Sequence, residues 1–252
     1  MRSTELDSVL FFVQIFGFLH VVAQDIEDGM AGGKKKHIGI LGAGAVGKTL
    51  ALGFANKGYP VTIGNRDSIA LKESWEGAQH PNIACESYFK TAEQGQILVL
   101  AVPGRVAGAP LTECEIVHLN AKIIIDATNP ISEHGPEKGV LKLFTEFDSS
   151  LMEQFQRLYP GARWVKAFNS VGSEYMVDPP FETRPTMFIC GNDPRAKTEV
   201  SKILNEFGWD AEDMGPASSA RAIEPLCMLW CLPGFLENKW NHAFKLLKDE
   251  SK

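Results

Sequence analysis

From His37 onward, apolar runs of strand length alternate with stretches whose apolar positions recur at helical spacing. The runs fall at His37–Leu41, Val61–Ile63, Ile83–Cys85, Ile97–Val102, Lys122–Asp126, Arg163–Ala167, Thr186–Cys190 and around Trp209–Ala211. Several are apolar without alternation, the pattern of strands covered on both faces. After the first run, Val46, Leu50 and Phe54 form one helical stripe. Gly47, Ala51 and Ala55 lie beside it as a small-residue face, and Gly58 closes the helix. A later helix carries its own boundary signals: Asp193 as N-cap, Pro194 at the first helical position, and Gly208 past the end. Val200, Ile203, Leu204 and Phe207 form its apolar stripe. Strands alternating with helices predict an α/β fold built on a doubly wound, mainly parallel sheet.

The first 33 residues break this pattern. Val9–Ala23 is an apolar run of 15 residues, interrupted by Gln14, Gly17 and His20, whereas a membrane span needs about 20. It reads as the apolar core of a secretory signal, as a helix docked on the domain, or as an upstream extension with no structural role. Arg2 is offset by Glu5 and Asp7, so the positive start of a signal is missing and the dispensable extension ranks ahead of it. Gly29-Met30-Ala31-Gly32-Gly33 reads as a flexible linker, and Met30 is itself a sensible start. The expected division is therefore extension and linker over 1–33, the main α/β domain over 34–215, and a C-terminal helical segment over 216–252 packed on it. Within that segment Pro225–Leu236 is apolar enough to require cover. It packs on the sheet, walls a ligand pocket or forms a homodimer contact.

The chain's 252 residues leave no room for a second domain of similar size. Lys+Arg number 25 and Asp+Glu 31, a net charge of −6, which argues against a nucleic-acid partner because phosphate contacts need a concentrated positive field. Membrane contact is open only to residues 9–23. Five widely spread cysteines form no C-x-x-C pair and have no histidine at zinc-ligand spacing. They read as buried reduced thiols of a cytoplasmic protein, with no metal site.

The first strand runs into Gly42-Ala43-Gly44-Ala45-Val46-Gly47, a G-x-G-x-x-G that opens a helix. Gly42 permits the tight turn, Gly44 lets a pyrophosphate approach the backbone, and Gly47 lets the helix lie close to the strand. The helix N-terminus adds unpaired N–H groups and partial positive charge. With a strand before, a helix after and a second strand about 20 residues on, the pattern predicts a dinucleotide site in a Rossmann sheet. At the end of that second strand, where an NAD site usually has a carboxylate, stand Asn65 and Arg66. A guanidinium holds a 2′-phosphate and a carboxylate repels it, so NADP(H) is favoured over NAD(H). Asp67 either caps the next helix or partly offsets Arg66.

The segments GILGAGAVGKTLALGFANKGYPVTIGNRD, LAVP (Leu100–Pro103), DATNP (Asp126–Pro130) and VKAFNSVG (Val165–Gly172) resemble the family of NADP-dependent coenzyme F420 oxidoreductases. That family includes the F420H2:NADP oxidoreductases and the cytosolic domains of six-transmembrane ferric reductases. GNDPRAK, MGP and ARAIEPL extend the likeness over residues 37–247. The resemblance implies pyrophosphate binding at Gly42, Gly44, Ala45, Val46 and Gly47, and adenosine phosphate binding at Asn65 and Arg66. It implies a nicotinamide near Val102, Pro103, Asn129 and Pro130, and a flavin or coenzyme F420 as acceptor. The alternative reading is that these prolines only terminate strands and Asn129 only braces a turn. One departure is visible: Ala70 stands where the family often has a second positive residue one helical turn after its arginine.

Other candidates keep two readings. Phe168 and Asn169 either wall the acceptor pocket or serve as core residue and turn cap. Arg221 and Glu224 are spaced to pair on a helix surface. Lys166 is a candidate proton donor, or it snorkels or pairs. The six histidines are isolated in sequence and no acid–base set is evident, so no catalytic residue is assigned. Two functions follow: an NADP(H)-dependent oxidoreductase moving hydride between NADPH and a small redox acceptor, or a non-catalytic NADP(H)-binding sensor or interaction protein.

Overall fold

A computed structural model describes residues 34–249. Its first half is strictly alternating: β1 Ile38–Leu41, α1 Ala45–Asn56, β2 Val61–Gly64, α2 Ser68–Ser74, β3 Ile83–Glu86, α3 Tyr88–Gln94 and β4 Ile97–Leu100. Two short helices, α4 Gly108–Glu113 and α5 Ile116–Leu119, lead to β5 Ile123–Asp126. A long loop then precedes α6 Leu151–Leu158 and β6 Arg163–Lys166. The remainder is β7 Thr186–Ile189, α7 Pro194–Glu206, β8 Asp210–Asp213, α8 Ala220–Ile223 and α9 Leu226–Glu237.

The six strands β3-β2-β1-β4-β5-β6 form one wholly parallel sheet. Strands β1, β4 and β5 are buried along their whole length, so both sheet faces are covered by helices. The order reverses between β1 and β4, which opens a crevice at the strands' carboxyl ends. Register aligns those ends in one row: Glu86, Gly64, Leu41, Leu100, Asp126 and Lys166. The residues after them therefore emerge together along one edge.

All eight strand runs of the sequence are strands, but the last two do not extend the sheet in parallel. β7 and β8 pair in parallel with each other and meet β6 through one antiparallel bridge, Lys166 to Cys190. The backbones come close there because Gly191 has no side chain; a methyl group would strike the Trp164 carbonyl oxygen. Helix α7 has the predicted cap, with the Asp193 carboxylate accepting from the Ala196 N–H at 2.8 Å.

The C-terminal segment is helical only in part. Asn238 ends α9 in the left-handed region (φ 54°), and residues 238–249 continue without helix or strand. They lie along β7 instead: Thr186 N donates to the Phe244 carbonyl at 2.8 Å, and Leu246 N to Thr186 Oγ1 at 3.1 Å. Among the described residues no helix is long and apolar enough to cross a membrane. The apolar run Val9–Ala23 and the linker lie outside the described residues.

Candidate functional site

The Gly-rich turn sits at the crevice. Gly42 has φ 124°, and a side chain there would strike the Ala101 carbonyl oxygen. A methyl group at Gly47 would collide with the Gly42 carbonyl oxygen, so this glycine permits close packing of α1 on the turn. Gly44 differs from both. It is the N-cap of α1, and a Cβ placed on it would meet no protein atom within 4 Å. No side chain caps the helix and no acidic residue stands in its first turn, so its free N–H groups and partial positive charge face open space suited to an anion.

A cleft of about 380 Å³ begins there. Gly44, Ala45 and Val46 line one side; Ala101, Val102, Pro103, Gly104 and Arg105 follow from the end of β4, and Ala127, Thr128, Asn129 and Ile131 from the end of β5. Of the residues inferred from sequence, Gly44, Ala45, Val46, Val102, Pro103 and Asn129 thus share one cavity. Gly42 and Gly47 are buried beneath it. Pro130 is buried and not part of the lining. The lining also includes Arg105, two residues past Pro103, and Thr128, both inside or beside the segments already singled out.

Asn65 and Arg66 leave β2 next to the glycine turn, where Gly42 N donates to the Gly64 carbonyl at 3.2 Å. Asn65 Oδ1 accepts from Arg66 N at 2.8 Å, fixing the turn. The Arg66 side chain is exposed and has no ion-pair partner among the described residues. Asp67 does not neutralise it; its carboxylate caps α2 by accepting from Ala70 N at 2.9 Å. The chemistry of this set fits a phosphorylated dinucleotide: bare N–H groups at Gly44–Val46, an uncommitted guanidinium beside them, and an apolar floor at Val102 and Pro103.

Asn129 is held by a reciprocal pair: its Nδ2 donates to the Asn169 carbonyl at 2.7 Å, and Asn169 Nδ2 donates to its Oδ1 at 3.2 Å. Asn169 also donates to the Ile223 carbonyl at 2.9 Å, tying β5 and β6 to α8. Asn169 is therefore a brace behind the cleft. Phe168 is a core residue, 1% exposed, with φ 63°.

One expected pairing is corrected, and of the readings open to Lys166 the structure shows pairing. Arg221 does not pair with Glu224; it makes a two-pronged bond to Glu153, at 2.9 and 2.7 Å. Glu224 turns inward to Lys166, which neither snorkels nor reaches the cleft as a proton donor. Lys166 is 0% exposed and lies between Asp126 and Glu224. Burial alone would lower its pKa, but the two carboxylates outweigh it and raise it, so the ammonium stays charged. The cysteines form no disulfide, and no cluster of metal ligands exists among the described residues.

A family model described as NADP oxidoreductase coenzyme F420-dependent matches residues 37–130. Rat metalloreductase STEAP3 is 28% identical over 204 residues, covering 79% of this chain and 38% of that protein. The chain thus spans well under half the length of that relative. The F420-dependent NADP reductase of Methanocaldococcus jannaschii is 27% identical over 198 residues, covering 75% of this chain and 87% of the reductase. A crystal structure from Arthrobacter sp. FB24, provisionally described as an F420-dependent NADP-reductase, superposes with a TM-score of 0.78 at 32% identity. The match covers 85% of this chain and 100% of that one.

Proposed function

The chain belongs to the NADP-dependent coenzyme F420 oxidoreductase family, and on that premise we propose that it binds NADPH across the cleft and passes a hydride to a flavin-like or other small redox acceptor. The observation that carries this reading is the open face of Gly44, where a helix N-terminus without cap or acid meets the cleft. The N–H groups of Gly44 to Val46 hold the pyrophosphate, and Arg66 with Asn65 holds the 2′-phosphate. Val102 and Pro103 offer a flat apolar surface to the nicotinamide ring, and Asn129, fixed by Asn169, supplies its polar edge. When bound, NADPH supplies two electrons and a proton as hydride.

The protein's own contribution is alignment. Of the cleft's lining residues only Arg105 ionises, and a guanidinium does not give up a proton near neutral pH. An acceptor that takes hydride directly onto a ring needs two aligned rings more than a protein acid, which favours a flavin-like molecule over a simple carbonyl. Reliance on NADPH supports a compartment that keeps a reduced NADP pool, such as the cytoplasm, over a secreted protein.

The test titrates the purified chain with NADPH and NADH, then follows NADPH absorbance with coenzyme F420, FMN, FAD, quinones and ferric chelates. NADPH should bind more tightly than NADH, and at least one acceptor should oxidise it. Arg66→Ala should weaken NADPH by about tenfold or more, as loss of a charge-assisted bond predicts, with NADH little changed. Tight binding without oxidation by any acceptor would turn the reading toward an NADP(H) sensor, and absence of binding would overturn both.

A further inference from the structure

Behind the cleft wall lies a charged cluster that phosphate and ring binding do not use. Lys166 Nζ is 2.7 Å from Asp126 Oδ2 and 2.9 Å from Glu224 Oε1, and it donates to the Thr128 carbonyl at 2.9 Å. Asp126 Oδ1 accepts from Thr128 N at 2.9 Å and Thr128 Oγ1 at 2.7 Å. Glu224 accepts from the N–H groups of Leu151 and Met152, at 2.9 and 3.0 Å, in the first turn of α6. Each of these hydrogen bonds reaches a carboxylate oxygen from an N–H or O–H donor. Two carboxylates against one ammonium leave one net negative charge in the interior.

The surroundings do not cancel it. Arg221 is occupied by Glu153. The Cys190 thiol beside the cluster is pushed up to about 12, chiefly by burial, and stays neutral. Lys197 pairs with Asp213, and the α6 N–H groups bring only partial charge. A single carboxylate on Lys166 would tie the same strands together without burying an excess charge, which is costly. Thr128, held by both Lys166 and Asp126, lines the cleft together with Ala127 and Asn129.

We propose that the Asp126–Lys166–Glu224 cluster is an electrostatic positioning device whose net negative charge favours the oxidised nicotinamide ring over the reduced one. The oxidised ring carries one positive charge and the reduced ring none. A fixed negative charge behind the ring site therefore stabilises the state reached when a hydride, two electrons and one proton, leaves for the flavin-like acceptor. The cluster thereby increases the driving force for donation. This inference rests on the reading that the nicotinamide lies between the ends of β4 and β5.

The test is the ratio of the NADPH and NADP+ dissociation constants, measured by titration at one pH and salt concentration. Glu224→Gln keeps the shape and removes the charge. It should lower the ratio Kd(NADPH)/Kd(NADP+) by about five- to tenfold, the size of a unit charge acting through protein. Glu224→Asp keeps the charge while shortening the reach, and should leave the ratio near that of the parent chain even where α6 loosens. Asp126→Asn reads the same charge from another strand and should move the ratio as Glu224→Gln does, which covers a Glu224→Gln variant that fails to fold. Equal weakening of both cofactor forms, or a ratio that follows shape and not charge, would reduce the cluster to a structural tie. If the parent chain binds neither form, the functional reading fails instead; if it binds both and the ratio does not move, only this inference fails.

Discussion

Gly44 and Gly47 are three residues apart in the same turn and are held to glycine by different things. At Gly47 the neighbour is protein: the Gly42 carbonyl oxygen occupies the space a methyl group would need. Gly47→Ala should therefore lower stability by about 1–3 kcal/mol, the range of a forced overpacking, read as a lower denaturant midpoint. At Gly44 the space is open and the backbone is ordinary, with φ −77°. Gly44→Ala should change stability by less than about 1 kcal/mol while weakening NADPH binding about tenfold or more by obstructing the approach of phosphate. A Gly44→Ala variant that binds NADPH normally would show that the open face serves no ligand. The close packing at Gly47 and the open face at Gly44 match the motif's expectations because the motif is local, six residues long and bracketed by a strand and a helix. The charged cluster was not legible in the sequence. Its members come from β5, β6 and the start of the last helices, and only sheet register brings Asp126 beside Lys166. Helical spacing pointed Glu224 toward Arg221, yet both side chains found stronger partners in elements far away in sequence, Lys166 and Glu153.

Elements were legible where one segment's own pattern decides them. Buried parallel strands are written as apolar runs, and α7 carries its cap and proline in plain sight. The C-terminal segment was harder, because apolar content alone does not distinguish helix from a strand-like tail. Pro233 lies within α9, and the left-handed Asn238 stops the helix and turns the chain back. The tail is then fixed by contacts to partners remote in sequence. Trp230 Nε1 donates to the His242 carbonyl at 2.9 Å, and His242 Nε2 donates to the Trp230 carbonyl at 2.8 Å. Lys245 reaches Asp210 and Lys248 reaches Glu212, both at 2.6 Å. Ending the chain after Lys239 should strip these contacts and expose the edge of β7. The expected result is a thermal midpoint lower by about 5 °C or more with NADPH affinity within about twofold, since the cleft is lined by residues from Gly44 to Ile131. A tail-less chain that is stable but no longer binds NADPH would mean that the tail belongs to the site.

At the scale of the whole molecule, the sheet order is what turns scattered motifs into one site. Reversal between β1 and β4 brings the glycine turn, the LAVP end and the DATNP end to a single edge, and Asn65–Arg66 leave the neighbouring strand. The cleft is lined by residues 44–131, and this bears on residues 1–29. Three readings of the apolar run Val9–Ala23 remain distinct in what its removal does. A dispensable extension predicts that residues 30–252 fold with an unchanged midpoint and bind NADPH within about twofold of the full chain. A docked helix predicts a loss of solubility or a lower midpoint, because about 25 cal/mol is lost for each Å² of apolar surface it had covered. A signal or anchor predicts normal binding by the shortened protein and a changed distribution of the full chain between membrane and soluble fractions. Because the cleft-lining residues and Arg66 lie between positions 44 and 131, unchanged folding and binding is the expected result. The fractionation then separates the extension from the signal, and aggregation of the shortened chain would favour the docked helix over both.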